Sequence, residues 1–587
     1  MYEILKKITG PKDIKALNIQ QLEQLAKDIR DALMNRLTKV GGHFGPNFGM
    51  VEAEIAMHYV FDSPRDKFVF DVSHQAYPHK MLTGRAQAYM DDVHFGDVSG
   101  YTNPEENEHD FFNVGHTSTS ISLAAGLAEG RNLTGGNENI VAVIGDGSLS
   151  GGEALEALDY AGSELKGNFI IVVNDNQQSI AEVHGGLYKN LDELRKTNGQ
   201  ATNNMFKAIG LDYIYEANGN NIEKMIQVFK KVKDIDHPIV VHINTKKGLG
   251  YKLAEDNKES WHWSSPFDEK TGKPKVDLSD IETYTSLTAQ YILERTKKDK
   301  KFITITPAMP GTAGLTIEMR KKLGQQYKDV GIAEEHAIAL ASGIAKNGGR
   351  PLVVTNSTFL QRTYDQVSQD VCINNNPITV VVNFSSVRGL TDVTHLGIFT
   401  HSIFGNIPNL VMLAPTNKAE YIAMLDWSLE QQEHPVFILI PGNGVHDDER
   451  VADINYSQIN KYKVEQQGSE VAIIAAGGFY QLGEAVAEEI KNEKGITPTL
   501  INPRFVSGID TDLLTKLKNN HKSIITLEDG IVEGGFGQKI ASFYGADSNI
   551  KVRNYGLEKE FYDRYDPEEL LENLGITPEK IVKDILK

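Results

Sequence analysis

Short apolar runs alternate with stretches of helical periodicity along the whole chain. Each run is rich in Val and Ile and ends in turn-forming or polar residues, a pattern typical of parallel strands that are covered on both faces. The segments between them, such as GGEALEALDYAG and KAEYIAMLDWSLEQ, have the spacing of helices. Repeated strand–helix–strand units predict an α/β protein with mainly parallel sheets. The predicted strands are NIVAVIGDG, NFIIVVNDN, PIVVHINTKKG, RPLVVTNS, PITVVVNFSS, NLVMLAPT, PVFILIP, EVAIIAAGG and SIITLEDG.

Two polar, loop-like stretches indicate where domains meet. One is DEKTGKPK at residues 268–275, and the other is GNGVHDDERVADIN at residues 442–455. A chain of 587 residues has room for three domains, because one domain takes roughly 100–200 residues. We therefore expect three α/β domains, at residues 1–275, 276–445 and 446–587.

Composition and charge narrow the class of protein. Hydrophobic residues make up 40% of the chain and charged residues 24%, as in ordinary globular proteins. The net charge of −19 disfavours nucleic acid and membrane as main partners, since both require a basic surface. The single cysteine, Cys372, excludes a disulfide within the chain. The start MYEILKKITGPKDIKAL has no signal-peptide pattern, and no apolar run is long enough to span a membrane, so we expect a cytoplasmic enzyme.

Two strand ends, GDG and NDN, carry the strongest chemical signal. They place Asp146 and Asn176 about 30 residues apart, the length of one strand–helix–strand unit. Adjacent parallel strands bring both loops to the edge of the sheet where ligands bind. Mg²⁺ prefers hard oxygen ligands and is often shared with phosphates. The carboxylate of Asp146, the amide oxygen of Asn176 and a nearby backbone carbonyl, assigned to Gln178, predict a site for magnesium and a diphosphate.

Two other interpretations of these loops fit less well. GDG or NDN alone is more often a plain turn after a strand, but the two together at this spacing favour a site. Gly145 and Gly147 let the backbone approach an anion closely, and a helix beginning near Gly151 directs its N-terminal amides at it. A dinucleotide-binding fingerprint fits badly, because Ser150 stands at the third glycine position.

The paired loops and several longer segments resemble the 1-deoxy-D-xylulose-5-phosphate synthase family, a branch of the transketolase superfamily. The resemblance runs from about Gly41 to Asp510 and so covers nearly the whole chain. It implies a transketolase-like fold, a homodimer, the cofactors thiamine diphosphate and Mg²⁺, pyruvate and an aldehyde as substrates, and a place in isoprenoid biosynthesis. The matching segments are GGHFGPNFGMVEAEIAMHYVF, FDVSHQAYPHKMLTGR, NVGHTSTSIS, TKKGLGY, ITPAMP, GIAEEHAI, NSTFLQRTYDQV and NPRFVSGID.

The resemblance assigns roles to an acid and an aromatic residue. Glu334, in GIAEEHA, matches the glutamate that hydrogen-bonds the aminopyrimidine ring and helps to activate the cofactor. Burial would raise the pKa of such a carboxylate, which suits an acid that exchanges a proton. The alternative is an ordinary helix-start acid that favours the helix dipole. Phe359, in STFLQRTYDQ, matches the aromatic that stacks on the pyrimidine, whereas a Phe after a strand is more often core.

Histidines form the second group of implied site residues. Proton transfer near neutral pH is histidine chemistry, and the resemblance points His43, His262 and His395 at the reacting carbonyls. Any single histidine is more often structural, but five at family motif positions favour a site. The residues implied to contact the cofactor are His74, Gly115, His116, Thr117, Gly147, Ser148, Asn176, Tyr251, Glu334 and Phe359.

The chain departs from the family where the acceptor phosphate would bind. The family uses a Tyr before STFLQR, an Arg in a DRxG segment and an Arg in a YPRG segment. Here Asn356 precedes STFLQR, residues 383–386 read NFSS, and residues 440–443 read IPGN. The loss of two arginines matters, because a charge-assisted contact is about twice as strong as a neutral one.

Three residues remain as candidate substrate ligands. Arg362 follows Phe359 in FLQRTYD, and Arg388 stands in SVRGL. Asp392 lies in GLTDVTH, where the family's GxDGxTH pattern is altered because Thr391 stands at the position of its Asp. Three hypotheses follow: the synthase itself with Arg362 and Arg388 covering the phosphate, a related carboligase with another aldehyde, and a binding paralogue with little catalysis. An intact Glu334 and histidine set argue against the third, since a mere binder needs neither.

Overall fold

The Val- and Ile-rich runs form the strands of the protein, as the pattern predicts. The structure is a computed structural model that describes residues 2–183, 185–277, 280–442, 444–547 and 549–585. Each predicted strand overlaps a strand of the structure, so the α/β fold class with mainly parallel sheets is confirmed. The strands are β1 (Gly42–His43), β2 (Lys67–Phe70), β3 (Ile140–Gly145), β4 (Phe169–Asp175), β5 (Asp212–Glu216), β6 (Pro238–Asn244), β7 (Trp263–Ser264), β8 (Phe302–Thr306), β9 (Tyr327–Asp329), β10 (Arg350–Asn356), β11 (Thr379–Asn383), β12 (Val411–Leu413), β13 (Val436–Leu439), β14 (Lys463–Gln466), β15 (Glu470–Ala475), β16 (Thr499–Asn502), β17 (His521–Ile531) and β18 (Lys551–Leu557).

Helices connect the strands, and both helices quoted from the sequence are present. GGEALEALDYAG forms Gly152–Ser163, and KAEYIAMLDWSLEQ forms Lys418–Glu430. The other helices of ten or more residues are Ile19–Val40, Gly45–Val60, Ser120–Thr134, Gly186–Lys196, Ile222–Val232, Tyr284–Lys298, Glu334–Lys346 and Tyr480–Lys494. The shorter α-helices are Pro11–Ile14, Tyr77–Lys80, Gln87–Met90, Met205–Ala208, Lys252–Asp256, Ile317–Leu323, Ser357–Leu360, Thr400–Phe404, Thr511–Leu517, Phe536–Tyr544, Pro567–Asn573 and Pro578–Ile585.

The chain divides into two units, and the first contains Met1–Leu278 together with Gly331–Ala333. Its main sheet has the strand order β2-β3-β4-β6-β5, and every neighbouring pair is parallel. Apolar side chains on the two faces of this sheet enter two different hydrophobic clusters: Val141 and Val143 pack in one, and Ala142 and Ile144 in the other. A sheet covered on both faces explains why its strands read as continuous apolar runs.

The second unit contains Ser279–Val330 and Glu334–Lys587 and carries two sheets. The six-stranded sheet has the parallel order β12-β13-β11-β10-β8-β9. The five-stranded sheet has the order β14-β16-β15-β17-β18, in which only the β14–β16 pair is antiparallel. Residues of both sheets, among them Val380 and Ile474, share one hydrophobic cluster. The division into three domains at residues 275 and 445 stays a prediction.

Candidate active site

The predicted magnesium loops lie at one edge of the first unit's main sheet. Four neighbouring parallel strands, β2, β3, β4 and β6, end there. His74 follows β2, Asp146 follows β3, Asn176 follows β4, and Lys247 follows β6. The backbone amide of Gln178 donates a hydrogen bond to Oδ2 of Asp146 at 3.1 Å, so the two loops are in contact, as expected from adjacent parallel strands.

The oxygen atoms in these loops fit a divalent cation. Oδ1 of Asp146 and Oδ1 of Asn176 are both buried without a hydrogen-bond partner. Leaving such groups unpaired costs free energy, about 1–3 kcal/mol each, which a bound cation would recover. One carboxylate oxygen, one amide oxygen and a backbone carbonyl are the hard ligands that Mg²⁺ takes. Among the described residues, no group of three or more His, Cys, Asp or Glu side chains is arranged to hold a metal.

Charged neighbours complete this region. The carboxylate of Asp175 pairs with Arg195 and with Nε2 of His242, the latter at 2.9 Å, so it is not assigned to the metal. Burial and the charge of the nearby Asp175 raise the pKa of Asp146, which means that its charged form is disfavoured. A cation bound beside Asp146 would stabilise that carboxylate. Lys247 is buried, and burial lowers its pKa to about 7, although Asp146 opposes that shift. Its Nζ donates to the carbonyl of Ser179 at 2.7 Å.

The loop backbones are held in place by buried polar contacts. The carboxylate of Asp71 accepts from the amides of Ser118 and Ser120 at 2.9 and 3.1 Å. Oγ of Ser118 donates to the carbonyl of Ser148 at 2.8 Å. Asp71 and Ser118 therefore tie the loop after β2 and the loop after β3 to the start of the helix Ser120–Thr134.

Predicted cofactor contacts lie within these tied loops. Gly115, His116 and Thr117 run between Val114, whose carbonyl accepts from Oγ of Ser73 at 2.6 Å, and Ser118. Ser73, Ser118 and Gln177 have φ angles of 61°, 75° and 64°, although none of them is glycine. Non-glycine residues with positive φ cost free energy and cluster at functional sites. The strain at these three loops supports a binding role for this edge of the sheet.

A glycine is required at position 147 because the loop that carries Ser179 approaches its backbone closely. A Cβ atom added there would lie 2.9 Å from both Cβ and Oγ of Ser179, too close for any side chain. Gly147 begins no helix itself: residues Asp146–Ser150 form a 3₁₀ turn, and the α-helix begins at Gly152. The predicted helix start near Gly151 is thus confirmed to within one residue.

Three histidines assemble in the first unit. The ring centroids of His43 and His74 are 5.0 Å apart, and His262 lies 5.7 Å from His43 and 5.2 Å from His74. Burial and the charge of Lys247 hold the pKa of His262 well below its ordinary value. Nζ of Lys247 lies 3.0 Å from Nδ1 of His262, so the ammonium donates to Nδ1 and places the neutral ring's proton on Nε2.

Asn47 is a positioning residue that the sequence did not single out. Its side chain is fully buried, and Nδ2 donates to the backbone carbonyls of His43 and His74, each at 2.8 Å. Its Oδ1 accepts from the amide of Tyr77 at 2.9 Å. One amide therefore joins two histidine-bearing segments. Only the spacing of GGHFGPN, which puts Asn47 on the first turn of the helix Gly45–Val60, hints at this role.

Tyr251 lies apart from the histidine cluster's polar contacts. Its ring packs against Phe44 and Trp261, with centroids at 5.3 and 5.0 Å. Its hydroxyl donates to the carbonyl of Glu269 at 2.8 Å. The structure thus gives Tyr251 an aromatic packing role, and its contact with a cofactor stays a prediction.

In the second unit, Glu334 is the first residue of the helix Glu334–Lys346 and is buried. Its Oε2 has no hydrogen-bond partner, and Nη1 of Arg362 lies 3.8 Å away. Burial raises the pKa of Glu334 from 4.5 to about 7, against the opposing charge of Arg362. The expected rise in pKa is confirmed, and the alternative of an ordinary solvated helix-start acid does not describe this residue.

Phe359 and His395 form a pair in the same unit. Their ring centroids are 5.6 Å apart and their planes are nearly perpendicular. Asp392 accepts from the hydroxyl of Thr394 at 2.7 Å, and that hydroxyl lies 2.8 Å from Nδ1 of His395. Because the hydroxyl proton points at Asp392, Nδ1 of the neutral imidazole carries its own proton and donates. Burial lowers the pKa of His395, so the neutral ring prevails.

The altered segments lie together at the carboxyl ends of β13, β11 and β10, which are neighbours in the six-stranded sheet. Asn356 and Asn383 are register partners at the ends of their strands. Oδ1 of Asn356 is buried without a partner, whereas Nδ2 of Asn383 donates to the carbonyl of Thr312 at 2.7 Å. The amide of Ser385 donates to the carbonyl of Ile440 at 3.0 Å. Asn443 lies outside the described residues.

The two candidate arginines have carboxylate neighbours. Arg388 makes a two-point contact with Glu568, with Nε to Oε1 at 2.7 Å and Nη2 to Oε2 at 3.1 Å. Arg362 lies near Glu334, as described above. Glu568 is 180 residues from Arg388, so no local pattern in the sequence links the two.

Family models match three successive parts of the chain. Residues 5–202 and 196–245 match the model described as 1-deoxy-D-xylulose-5-phosphate synthase. Residues 283–445 match the pyrimidine-binding domain of transketolase, and residues 460–581 match the transketolase C-terminal domain.

Curated relatives match over nearly their whole length. The 1-deoxy-D-xylulose-5-phosphate synthase 1 of Geobacter sulfurreducens is 36% identical, over 98% of this chain and 96% of the relative. The 1-deoxy-D-xylulose-5-phosphate synthase of Desulforudis audaxviator is 35% identical, over 99% of this chain and 96% of the relative. Among solved structures, the transketolase of Campylobacter jejuni is 17% identical over 97% of this chain and all 100% of its own, with a TM-score of 0.44.

Proposed function

The chain belongs to the 1-deoxy-D-xylulose-5-phosphate synthase family of the transketolase superfamily, and from this premise we propose how its own residues carry the reaction. It is a thiamine diphosphate enzyme of the transferase type that this family represents. We propose that it decarboxylates pyruvate and joins the remaining two-carbon unit to an aldehyde. With glyceraldehyde 3-phosphate as the acceptor, the products are 1-deoxy-D-xylulose 5-phosphate and carbon dioxide.

One observation carries the cofactor assignment: Oδ1 of Asp146 and Oδ1 of Asn176, in two loops joined by a hydrogen bond, are both buried without hydrogen-bond partners. We infer that these atoms and the carbonyl of Gln178 hold Mg²⁺, which in turn holds the diphosphate. The loops of His74, Gly115–Thr117 and Gly147–Ser148 would surround that diphosphate. When bound, thiamine diphosphate supplies a nucleophilic carbon for carbonyl addition and an electron sink for the resulting carbanion.

The chain's acids and bases have properties that suit this chemistry. Glu334, with a pKa of about 7, is able to hold or release a proton toward the pyrimidine ring at neutral pH. Phe359 offers an aromatic face for stacking on that ring. Burial lowers the pKa values of His262 and His395, so both are neutral imidazoles suited to proton exchange with the substrate carbonyl oxygens, and His43 stacks edge-on against His262.

A second candidate function differs only in the acceptor. The contact between Arg388 and Glu568 favours it, because an arginine already paired with a carboxylate is a poorer phosphate ligand. With NFSS and IPGN in place of the arginine-bearing segments, Arg362 is the other candidate arginine for a phosphate. On this alternative the enzyme uses pyruvate with an unphosphorylated aldehyde.

The wider setting follows the family. We propose that the enzyme acts as a homodimer in the cytoplasm, with three domains at residues 1–275, 276–445 and 446–587. In the part of the chain that the structure describes, no helix is both long and apolar enough to cross a membrane.

An aldehyde panel tests the proposal. Purified protein with pyruvate, thiamine diphosphate and Mg²⁺ is offered glyceraldehyde 3-phosphate, glyceraldehyde and glycolaldehyde. Efficient use of glyceraldehyde 3-phosphate supports the synthase, and use of only the unphosphorylated aldehydes supports the second candidate. Absence of pyruvate decarboxylation under every condition would overturn both.

Replacement of Glu334 tests the proton-exchange role separately. Glu334→Ala is expected to abolish turnover while thiamine diphosphate still binds, because the diphosphate contacts lie in other residues. The matched control is Glu335→Ala on the same helical turn, which should keep most of the activity. Unchanged turnover in Glu334→Ala would refute the role.

A further inference from the structure

The loop that carries His395 has little regular structure of its own. Residues 385–395, called here the His395 loop, contain only the 3₁₀ turn Val393–His395. Yet this loop holds Arg388, Asp392 and His395, the residues assigned to the substrate. Something outside the loop must therefore fix its geometry, because an unsupported loop would not hold a side chain to the accuracy that catalysis needs.

A short C-terminal segment supplies three contacts to the loop backbone. Residues 563–568, called here the C-terminal clamp, precede and begin the helix Pro567–Asn573. The amide of Arg564 donates to the carbonyl of Thr391 at 2.7 Å. The carboxylate of Asp563 accepts from the amide of Val393 at 3.1 Å, and the hydroxyl of Tyr565 donates to the carbonyl of Val387 at 3.0 Å.

The fourth contact joins side chains. Glu568 binds Arg388 at two points, and it is largely exposed, with 70% of its side chain accessible. An exposed ion pair adds little to overall stability. Its two-point geometry nevertheless sets the direction in which the guanidinium points. The clamp thus contacts Val387, Arg388, Thr391 and Val393, four of the eleven residues of the loop.

The near end of the loop is anchored independently. Asp529, which is buried, accepts from Oγ of Ser386 at 2.6 Å and from the amide of Val387 at 2.8 Å. The contacts of the clamp to Thr391 and Val393 therefore fix the far end. That end leads directly into the Asp392–Thr394–His395 hydrogen-bond chain.

We propose that the C-terminal clamp is a positioning element for His395, acting mainly through the carboxylate of Asp563. The catalytic use of His395 rests on the proposed function, but the clamp's effect on the imidazole does not. Removing the contact between Asp563 and Val393 lets the 391–395 segment shift, which changes the surroundings of the imidazole and misaligns it toward the substrate. A misplacement of about 1 Å lowers turnover by up to about 100-fold in well-ordered active sites.

The test combines a spectroscopic signal with kinetics. Full-length protein is labelled with ¹³Cε1-histidine, and the His395 signal is assigned with His395→Gln. Asp563→Ala is expected to move the His395 signal and its titration midpoint. Tyr565→Phe, which removes a contact only at the near end that Asp529 also holds, is expected to move them less. In the carboligation assay Asp563→Ala should lose about tenfold or more in kcat, with the Kd for thiamine diphosphate and Mg²⁺ unchanged.

Two controls separate positioning from general damage. Asp563→Asn keeps an oxygen acceptor for the amide of Val393 and should restore the wild-type signal and kcat. Glu569→Gln removes a charge next to the clamp and should change neither. A His395 signal that does not move in Asp563→Ala would overturn the proposal. A signal that moves in a protein that proves inactive on pyruvate would leave the clamp standing and sink the proposed function alone.

Discussion

Nη1 of Arg362 lies 3.8 Å from Oε2 of Glu334, which is too far for a hydrogen bond and leaves that buried oxygen unpartnered. Two opposing effects therefore meet at Glu334. Burial raises the pKa of its carboxyl, and the guanidinium charge lowers it. Burial prevails, and the pKa stands at about 7. A carboxyl of this kind changes protonation at neutral pH, and the cost of burying it is measurable.

Glu334→Gln is expected to change the pH dependence of stability. The carboxyl has a higher pKa in the folded protein than the ordinary 4.5, so the folded state binds the proton more tightly. The stabilisation of the folded state by this bound proton is fully present below pH 4.5 and is lost as the pH rises through 7. Glutamine does not titrate, so the free energy of unfolding of the variant rises relative to that of the wild type over this pH range. The difference reaches about 3 kcal/mol above pH 7.

Urea unfolding of both proteins at pH 5, 6, 7 and 8 measures this difference. Glu335→Gln serves as the control, because Glu335 shares the helical turn and is less buried. A constant difference for Glu334→Gln would mean that its carboxyl titrates normally.

Asp146→Asn should remove most of the stabilisation by cofactor and metal. A ligand that binds only the folded state adds about 2.7 kcal/mol at 100 times its Kd. Wild-type protein should therefore melt at a clearly higher temperature with Mg²⁺ and thiamine diphosphate than without them. The variant keeps its oxygen but loses the charge that attracts the cation, so its shift should be small. Asp192→Asn, at an exposed ion pair with Lys196, is the matched control; equal shifts in all three proteins would contradict the metal assignment.

Gly147→Ala should weaken cofactor binding by tenfold or more. The added methyl would sit 2.9 Å from Cβ and Oγ of Ser179, and the loop that carries Asn176 and Gln178 would have to move. Gly126→Ala, inside the helix Ser120–Thr134 where an added Cβ meets nothing within 4 Å, controls for the substitution itself. Titration of thiamine diphosphate at saturating Mg²⁺ by calorimetry gives both dissociation constants. Similar values for the two variants would show that Ser179 adapts freely.

The sequence predicted the site best where a residue's place in the fold follows from its being at the end of a strand. Period and residue type predicted the strands, and the parallel arrangement then brought Asp146 and Asn176 to the same edge without further information. The raised pKa of Glu334 was expected through the family resemblance, because a position at the start of a helix is by itself typical of a solvated acid. The first of these follows from the fold class, and the second follows from the resemblance.

Contacts between side chains distant in sequence could not be predicted. Asn47, Asp71 and Lys247 are each ordinary in the sequence, and their importance appears only through hydrogen bonds to other segments. The partner of Arg388 lies 180 residues away, and no periodicity links the two. The sequence predicted that Arg388 could bind a phosphate. Its contact with Glu568 makes the guanidinium a poorer phosphate ligand, and no local feature of the sequence indicates this.

Asn47 offers the most direct test of how the histidine cluster is supported. Asn47→Ala leaves the carbonyls of His43 and His74 and the amide of Tyr77 without their partner in a buried setting. Each unpaired group costs about 1–3 kcal/mol, so stability should fall by more than about 3 kcal/mol. Turnover should fall by tenfold or more, because two histidine-bearing segments lose their shared anchor.

Asn47→Asp tests the two donated hydrogen bonds more specifically, since it preserves the size and shape of the side chain. The carboxylate still accepts from the amide of Tyr77 but turns an oxygen toward the carbonyls of His43 and His74, where repulsion replaces two hydrogen bonds. We therefore expect this variant to lose at least as much kcat as Asn47→Ala. Asn190→Ala is the control: Asn190 bridges the carbonyl of Asn203 and the amide of Met205, so its loss should lower stability without lowering kcat. Full activity in Asn47→Asp would mean that His43 and His74 are held by other contacts.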